Sequence, residues 1–212
     1  MNAPEPCLPF DPDVPRCPWA GADGPRPDPL MVRYHDEEWG TPCHDDVELF
    51  ERLALESFQA GLSWSTILRK RESFRAAFRG FDPSRVAAFD DEDRARLMAD
   101  AGIVRNRAKI DATIGNAAAW LELGRAFGSA DGYLAAMVPG PPLRLSPSAQ
   151  AGDIPARTPA SDQLSADLRR RGFRFVGSTI VYAFMQSVGL VDDHLAECFR
   201  SVGRNSAQSP TS

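Results

Sequence analysis

The chain has 212 residues, 43% of them hydrophobic and 25% charged, with a net charge of −5; this is enough for a substantial core and ordinary for a soluble globular protein. The acidic balance excludes a polycation that coats nucleic acid, while leaving room for a local basic face, and no apolar run approaches membrane-spanning length. Four widely spaced cysteines without a signal peptide do not make a disulfide scaffold, so a cytoplasmic protein is expected.

Residues 1–30 are rich in Pro, Asp and Gly, and residues 203–212 are short and polar. Residues 1–16 and 203–212 therefore read as flexible tails around one domain over 17–202. Within it the periodicity is helical almost throughout. Asp46 to Leu55 carries apolar residues at three- and four-residue steps, Gly61 ends that segment, and Ser63-Trp64 begins the next, running towards Phe81. Pro83 opens a short helix, and Asp90-Asp91-Glu92-Asp93 opens another with acids in its first turn. The longest helix runs from Asn106 to about Phe127. A Pro/Ser-rich stretch over 139–159 reads as a loop, followed by helices over 161–171 and 178–188 and a last short helix carrying His194 and Cys198. No alternating strand signal and no internal repeat occur, so the predicted class is all-α.

Two features carry chemistry. Cys17 and His35 lie towards one end of the chain, His194 and Cys198 towards the other. His194 and Cys198 are four residues apart, which on a helix puts both on one face. Imidazole and thiolate are the ligands zinc prefers, and four of them close a structural tetrahedron. Cys7, Cys43 and His44 are further candidates of the same type. The second feature is Gly172-Phe173-Arg174-Phe175-Val176-Gly177 between two predicted helices, the layout of a helix-hairpin-helix. Backbone N–H groups beside a helix N-terminus grip an anion such as a DNA phosphate without many cationic side chains. Arg169, Arg170, Arg171 and Arg174 add charge there; an ordinary helical corner with a solvated arginine face is the alternative.

Several strings in order resemble the bacterial DNA-3-methyladenine glycosylase I (TAG) family of the helix-hairpin-helix superfamily. They are Asp28-Pro29-Leu30, Tyr34-His35-Asp36-Glu37-Glu38-Trp39-Gly40, Gln59-Ala60-Gly61-Leu62-Ser63-Trp64, Asp100 to Arg105, Lys109-Ile110, Gly115-Asn116-Ala117, Arg171 to Gly177 and Asp193-His194. The resemblance runs from about Cys17 to Cys198. It implies an all-α glycosylase fold and excision of 3-methyladenine from alkylated double-stranded DNA. It also implies a structural zinc on Cys17, His35, His194 and Cys198, clipping the N-terminal arm to the C-terminal segment.

The resemblance makes Glu56 the pocket carboxylate, able to accept from the exocyclic amine of adenine and to favour a cationic base. Trp19, Tyr34 and Trp64 resemble the aromatic walls that stack on the base; Trp39 and Trp120 read as core. Gly61 and Leu62 match the turn that fills the space left by a flipped nucleotide. Gly172, Phe173 and Gly177 belong to the DNA-binding hairpin. Two departures stand out: Met31 occupies a position where the family carries tyrosine, and Asp192 one where it carries asparagine. A carboxylate at 192 would stabilise an oxocarbenium-like transition state, which makes Asp192 a catalytic candidate; a helix cap is the plainer reading.

Lyase members of the superfamily use a lysine amine in the helix after the hairpin. Here that stretch is Ser178-Thr179-Ile180, and the only lysines are Lys70 and Lys109. The expectation is a monomeric, monofunctional glycosylase. A non-catalytic helix-hairpin-helix DNA-binding module is the alternative, and a zinc-stabilised helical protein with no DNA role is a third reading.

Overall fold

The structure is a computed structural model describing residues 10–21, 27–146 and 148–201. Nine α-helices are found among them: α1 (Pro29–Glu37), α2 (Asp46–Gln59), α3 (Trp64–Ala77), α4 (Pro83–Ala87), α5 (Asp91–Ala99), α6 (Arg107–Phe127), α7 (Ala130–Met137), α8 (Pro159–Arg170) and α9 (Ser178–Ser187). None is long and apolar enough to cross a membrane. Most begin at a side-chain cap that the sequence supplies: the carboxylate of Asp45 accepts from Val47 and Glu48 N–H, and Ser63, Asp82, Asp90, Asn106 and Thr158 play the same part for α3, α4, α5, α6 and α8.

Helix α2 is the centre. It is buried over most of its length and packs against α3, α6, α7 and α9. Its apolar residues, Leu49, Phe50, Leu53 and Phe58 among them, join Phe74, Phe78, Trp120, Phe173 and Phe184 in one main core. A smaller cluster lies to one side, built from Cys17, Tyr34, Trp39, Leu68 and Cys198 with Trp19, Met31 and Trp64 packed on it. The candidate site forms where these two clusters meet.

Two expectations need correction. Residues 193–200 are turns and irregular backbone, not a helix, so His194 and Cys198 are not brought together by helical spacing. The segment before them is instead held by strand pairing: β1 (Leu143–Arg144) runs parallel to β2 (Val191–Asp192), with Leu143 opposite Val191 and Arg144 opposite Asp192. At two residues each, the strands are too short for an alternating pattern. Apart from β1, a 3-10 turn at Ala151–Asp153 and Pro159, which opens α8, the described residues over 139–159 form the expected loop. The tails expected over 1–16 and 203–212 fall largely outside the described residues, as does Cys7.

Candidate active site

A cavity of about 330 Å³ opens between α1, α2, α3 and α9, lined by Trp19, Met31, Tyr34, Trp39, Glu56, Gln59, Trp64, Ile154, Ala183 and Gln186. Its size lies near the lower end of small-ligand sites, roughly 300–1,000 Å³. Four aromatic rings supply most of the wall. Tyr34 and Trp64 lie with ring centroids 5.1 Å apart, and Trp19 packs edge-on to Trp39 at 4.9 Å. Such amphipathic rings can stack on a flat heterocycle while keeping a polar tip for hydrogen bonding. Trp39, expected in the core alone, is both buried and part of this wall.

Glu56 comes from the last turn of α2. It is buried, and no side chain or backbone group among the described residues donates to its carboxyl. Burial pushes its pKa up to about 8, so among the protein groups alone it is mostly a neutral acid at neutral pH. The Nε1–H of Trp64 is also buried without a partner. Tyr34 keeps its proton far into the alkaline range, because burial and the neighbouring Glu56 both disfavour the phenolate. An unpartnered acid beside an unpartnered indole N–H is costly inside a protein unless a ligand completes the hydrogen bonds.

Beside the cavity stands a buried group of metal-type ligands. The ligand atoms of Cys17, His35 and Cys198 all lie within 4.8 Å of one another, and His35 Nε2 is 3.3 Å from Cys198 Sγ. The Cys198 thiol is held well below its usual range, first by the hydrogen bond from Cys17, which stays a thiol. His194 is the neighbour of this trio, its ring centroid 5.1 Å from that of His35. Both imidazoles are oriented alike. His35 Nδ1 lies 2.8 Å from Asp36 Oδ1, and Asp36 is paired with Arg16 at 2.7 Å. His194 Nδ1 lies 2.9 Å from Asp192 Oδ1, and Asp192 is paired with Arg144 at 3.1 Å. Each ring therefore turns Nε2 away from its carboxylate, and His194 Nε2 is buried without a partner.

The close packing here explains Gly40. Its φ is +72°, and a Cβ would come 2.7 Å from His194 Cε1. Trp19, two residues beyond Cys17, sits edge-on to His35 at 5.2 Å. The ligand cluster and the cavity wall are thus one packed unit.

Asp192 does not line the cavity. One of its carboxylate oxygens faces His194 and the other accepts from Arg144. Although burial raises its pKa, the hydrogen bonds from His194 and Arg144 outweigh that and hold the group below the usual carboxylate range.

The turn after α2 brings Gly61 (φ +87°) and Leu62 to the surface, with Leu62 40% exposed. Lys109 holds this turn from beneath: its Nζ donates to Phe58 O at 2.9 Å and Ala60 O at 2.7 Å. The sequence marks Lys109 as a residue shared with the family and as one of two lysines, without this role. Its signal, one of two lysines in an arginine-rich chain, became readable only once the carbonyls were placed.

The hairpin between α8 and α9 is pinned to the body by its carbonyls. Asn116 Nδ2 donates to Arg174 O at 2.9 Å and Ser57 Oγ to Phe175 O at 3.0 Å, while Ser165 Oγ donates to Val176 O at 2.6 Å. Gly172 has φ +92° and Gly177 caps α9 with no side-chain bond of its own, so no cap side chain occupies the first N–H groups of α9. Phe173 differs from expectation: its side chain is core, packed near Trp120, and the exposed aromatic of the hairpin is Phe175. Among the four arginines, Arg170 and Arg171 are committed to Asp167, and Arg171 also lies over the rings of Phe127 and Tyr133. Arg169 and Arg174 make no ion pair among the described residues.

Comparison with known proteins places this architecture. The methyladenine glycosylase family model matches residues 24–201. DNA-3-methyladenine glycosylase 1 of Escherichia coli is 48% identical over 183 residues, covering 86% of this chain and 95% of that protein. DNA-3-methyladenine glycosylase of Haemophilus influenzae is 42% identical over 183 residues, covering 86% of this chain and 96% of that protein. The solved structure of 3-methyladenine DNA glycosylase I (TAG) from Staphylococcus aureus, described for its recognition of 3-methyladenine, superposes with a TM-score of 0.81 at 38% identity, covering 87% of this chain and 97% of that one.

Proposed function

Since the chain belongs to the methyladenine glycosylase family, we propose that it releases 3-methyladenine from alkylated double-stranded DNA by hydrolysing the N-glycosidic bond. The observation that carries this reading is Glu56, a buried carboxyl with no protein donor in an aromatic cavity of purine-accommodating size. Methylation at N3 gives the base a positive charge. Inside a low-dielectric cavity that charge draws the carboxyl into its ionised form, and the flat ring stacks on Trp19, Tyr34 and Trp64.

The base must leave the duplex to reach the cavity. Leu62 is the exposed apolar wedge that fills the gap, and the hairpin with Gly172 and Gly177 grips the phosphate backbone through its N–H groups. As the C1′–N9 bond breaks, its electron pair passes to the base and neutralises the ring, so the leaving group needs no proton. Water oxygen bonds to C1′ and loses its proton to solvent. The protein's work is therefore extrusion, orientation and stabilisation of charge.

We assign base release without strand cleavage. Neither lysine lines the cavity, and both amines are engaged by carbonyls, Lys109 as described and Lys70 with Ala101 and Gly102. For Asp192, its contacts support the orientation of His194 and not contact with the sugar. We further propose a structural zinc held by Cys17, His35 and Cys198 with His194 as fourth ligand. Imidazoles backed by carboxylates and an orphaned buried Nε2 are what such a site requires. Bound there, zinc supplies only cross-linking, since four protein ligands leave no open position. A soluble cytoplasmic monomer fits this reading.

The test is single-turnover excision from methylated DNA. Glu56→Gln should abolish release of 3-methyladenine while DNA affinity is kept; a fully active variant would refute the assignment, and an inactive wild type would refute the activity.

A further inference from the structure

We infer that Gln186 is a specificity-determining residue, presenting a fixed hydrogen-bond acceptor that selects an amino-purine over an oxo-purine; the inference rests on the proposed activity at the same cavity. Gln186 lies in the last turn of α9 and lines the cavity with Glu56. Its backbone carbonyl accepts from Gly40 N at 2.9 Å, which fixes the main chain at that point.

The orientation of its amide follows from chemistry. Gln186 Nε2 lies 2.6 Å from Asp193 Oδ2, which also accepts from Tyr182 Oη at 2.6 Å. Asp193 is buried, and an ionised carboxylate has no proton to give, so Oδ2 is the acceptor in this pair. Only the NH₂ side of Gln186 can donate to it, and Oε1 must point the other way. No group among the described residues donates to that Oε1, nor is it among the buried unpartnered atoms; it keeps some accessibility, and the cavity is the open space that Gln186 lines. The buried Tyr182–Asp193 pair acts as a lock that prevents the amide from flipping.

Two acceptors thus line one cavity: the Glu56 carboxylate, once ionised by a cationic base, and the locked Gln186 Oε1. The exocyclic amino group at C6 of 3-methyladenine has two hydrogens to offer. In 3-methylguanine that position is a carbonyl, whose oxygen would face an acceptor that cannot rotate to become a donor. A site built around a hydrogen bond discriminates strongly against the partner that cannot make it.

Gln186→Met keeps the side-chain length and removes the acceptor. With methylated DNA, kcat/KM for 3-methyladenine should fall about tenfold, the loss of one such bond, while kcat/KM for 3-methylguanine stays level or rises. A fall shared equally by both bases, or no change in their ratio, would overturn the inference. Binding of free adenine and hypoxanthine, followed by quenching of the cavity tryptophans, is the second measurement. Wild type should prefer adenine and the variant should lose that preference; equal preference in both proteins would overturn the inference as well. Absence of any base release by wild type would sink the activity reading, whereas an unchanged ratio in an active variant would sink only the role of Gln186.

Discussion

His194 Nδ1 lies 2.9 Å from Asp192 Oδ1, and the second Asp192 oxygen accepts from Arg144 on the neighbouring strand. The same order, Arg16 to Asp36 to His35, recurs on the other side of the cluster. A carboxylate behind each imidazole fixes which nitrogen would face the proposed zinc, and such partners are commonly worth about 10- to 100-fold in metal affinity.

Asp192→Ala should therefore lose zinc to a competing chelator roughly 10- to 100-fold more readily than wild type. Asp192→Asn, whose carbonyl still accepts from Nδ1–H, should keep most of the affinity and near-normal single-turnover excision. Metal retention together with loss of excision in Asp192→Asn would instead return this residue to the chemistry.

Gly40→Ala should damage the same cluster from outside. A methyl group there meets the His194 ring at 2.7 Å, and φ +72° is itself unfavourable for alanine. We expect a loss of about 2 kcal/mol or more in folding stability, since the left-handed conformation alone costs about 1–2. Urea unfolding checks the stability, and zinc content measured on the same preparation should fall with it.

Glu56 gives a stability signature with a defined sign. Its folded pKa is raised from 4.5 to about 8 by burial. Between those values the unfolded chain has already released the proton that the folded chain retains, so stability falls as pH rises through this window. Glu56→Gln removes that penalty and should be more stable than wild type by about 3 kcal/mol at pH 7, with the difference vanishing near pH 4. Melting curves at the two pH values check this; a variant destabilised at both would contradict the burial argument. Wild-type kcat/KM should rise with pH towards about 8, because below it the incoming cation must expel a proton from Glu56.

Lys109→Met should leave the cavity intact but loosen the turn that carries Leu62, because the Phe58 and Ala60 carbonyls lose their donor. The expected result is slower excision from duplex DNA with little change in binding of the free base. Equal loss in both would mean that Lys109 supports the whole fold.

Much of this was legible in the sequence, where local chemistry and long-range placement agreed. Ser63, Asp90 and Asn106 mark the starts of α3, α5 and α6 in the sequence, and the strings around Glu56 and the hairpin carry the family resemblance, whereas α1 and α7 left no periodic signal that marked them as helices. The segment carrying His194 and Cys198 was misread because four-residue spacing mimics a helix. In fact the pairing of Val191 and Asp192 with Leu143 and Arg144 holds that segment, and two-residue strands leave no periodic trace. That the Phe173 side chain is core was not legible, because its burial depends on Trp120, 53 positions away in the chain. The backing carboxylates were within reach of sequence reasoning: Asp36 directly follows His35, and Asp192 precedes His194 by two residues. Gln186 was not, because its meaning lies in a lock formed with Tyr182 and Asp193.

The central claim is that Glu56 recognises a charged, extruded base. The most direct measurement is single-turnover release of 3-methyladenine from methylated duplex DNA by wild type and Glu56→Gln, with DNA affinity measured in parallel. The account predicts rapid release by wild type and at least a hundredfold slower release by the variant at unchanged DNA affinity, in line with the loss of a charge-bearing active-site contact. Equal release rates in the two proteins would contradict it.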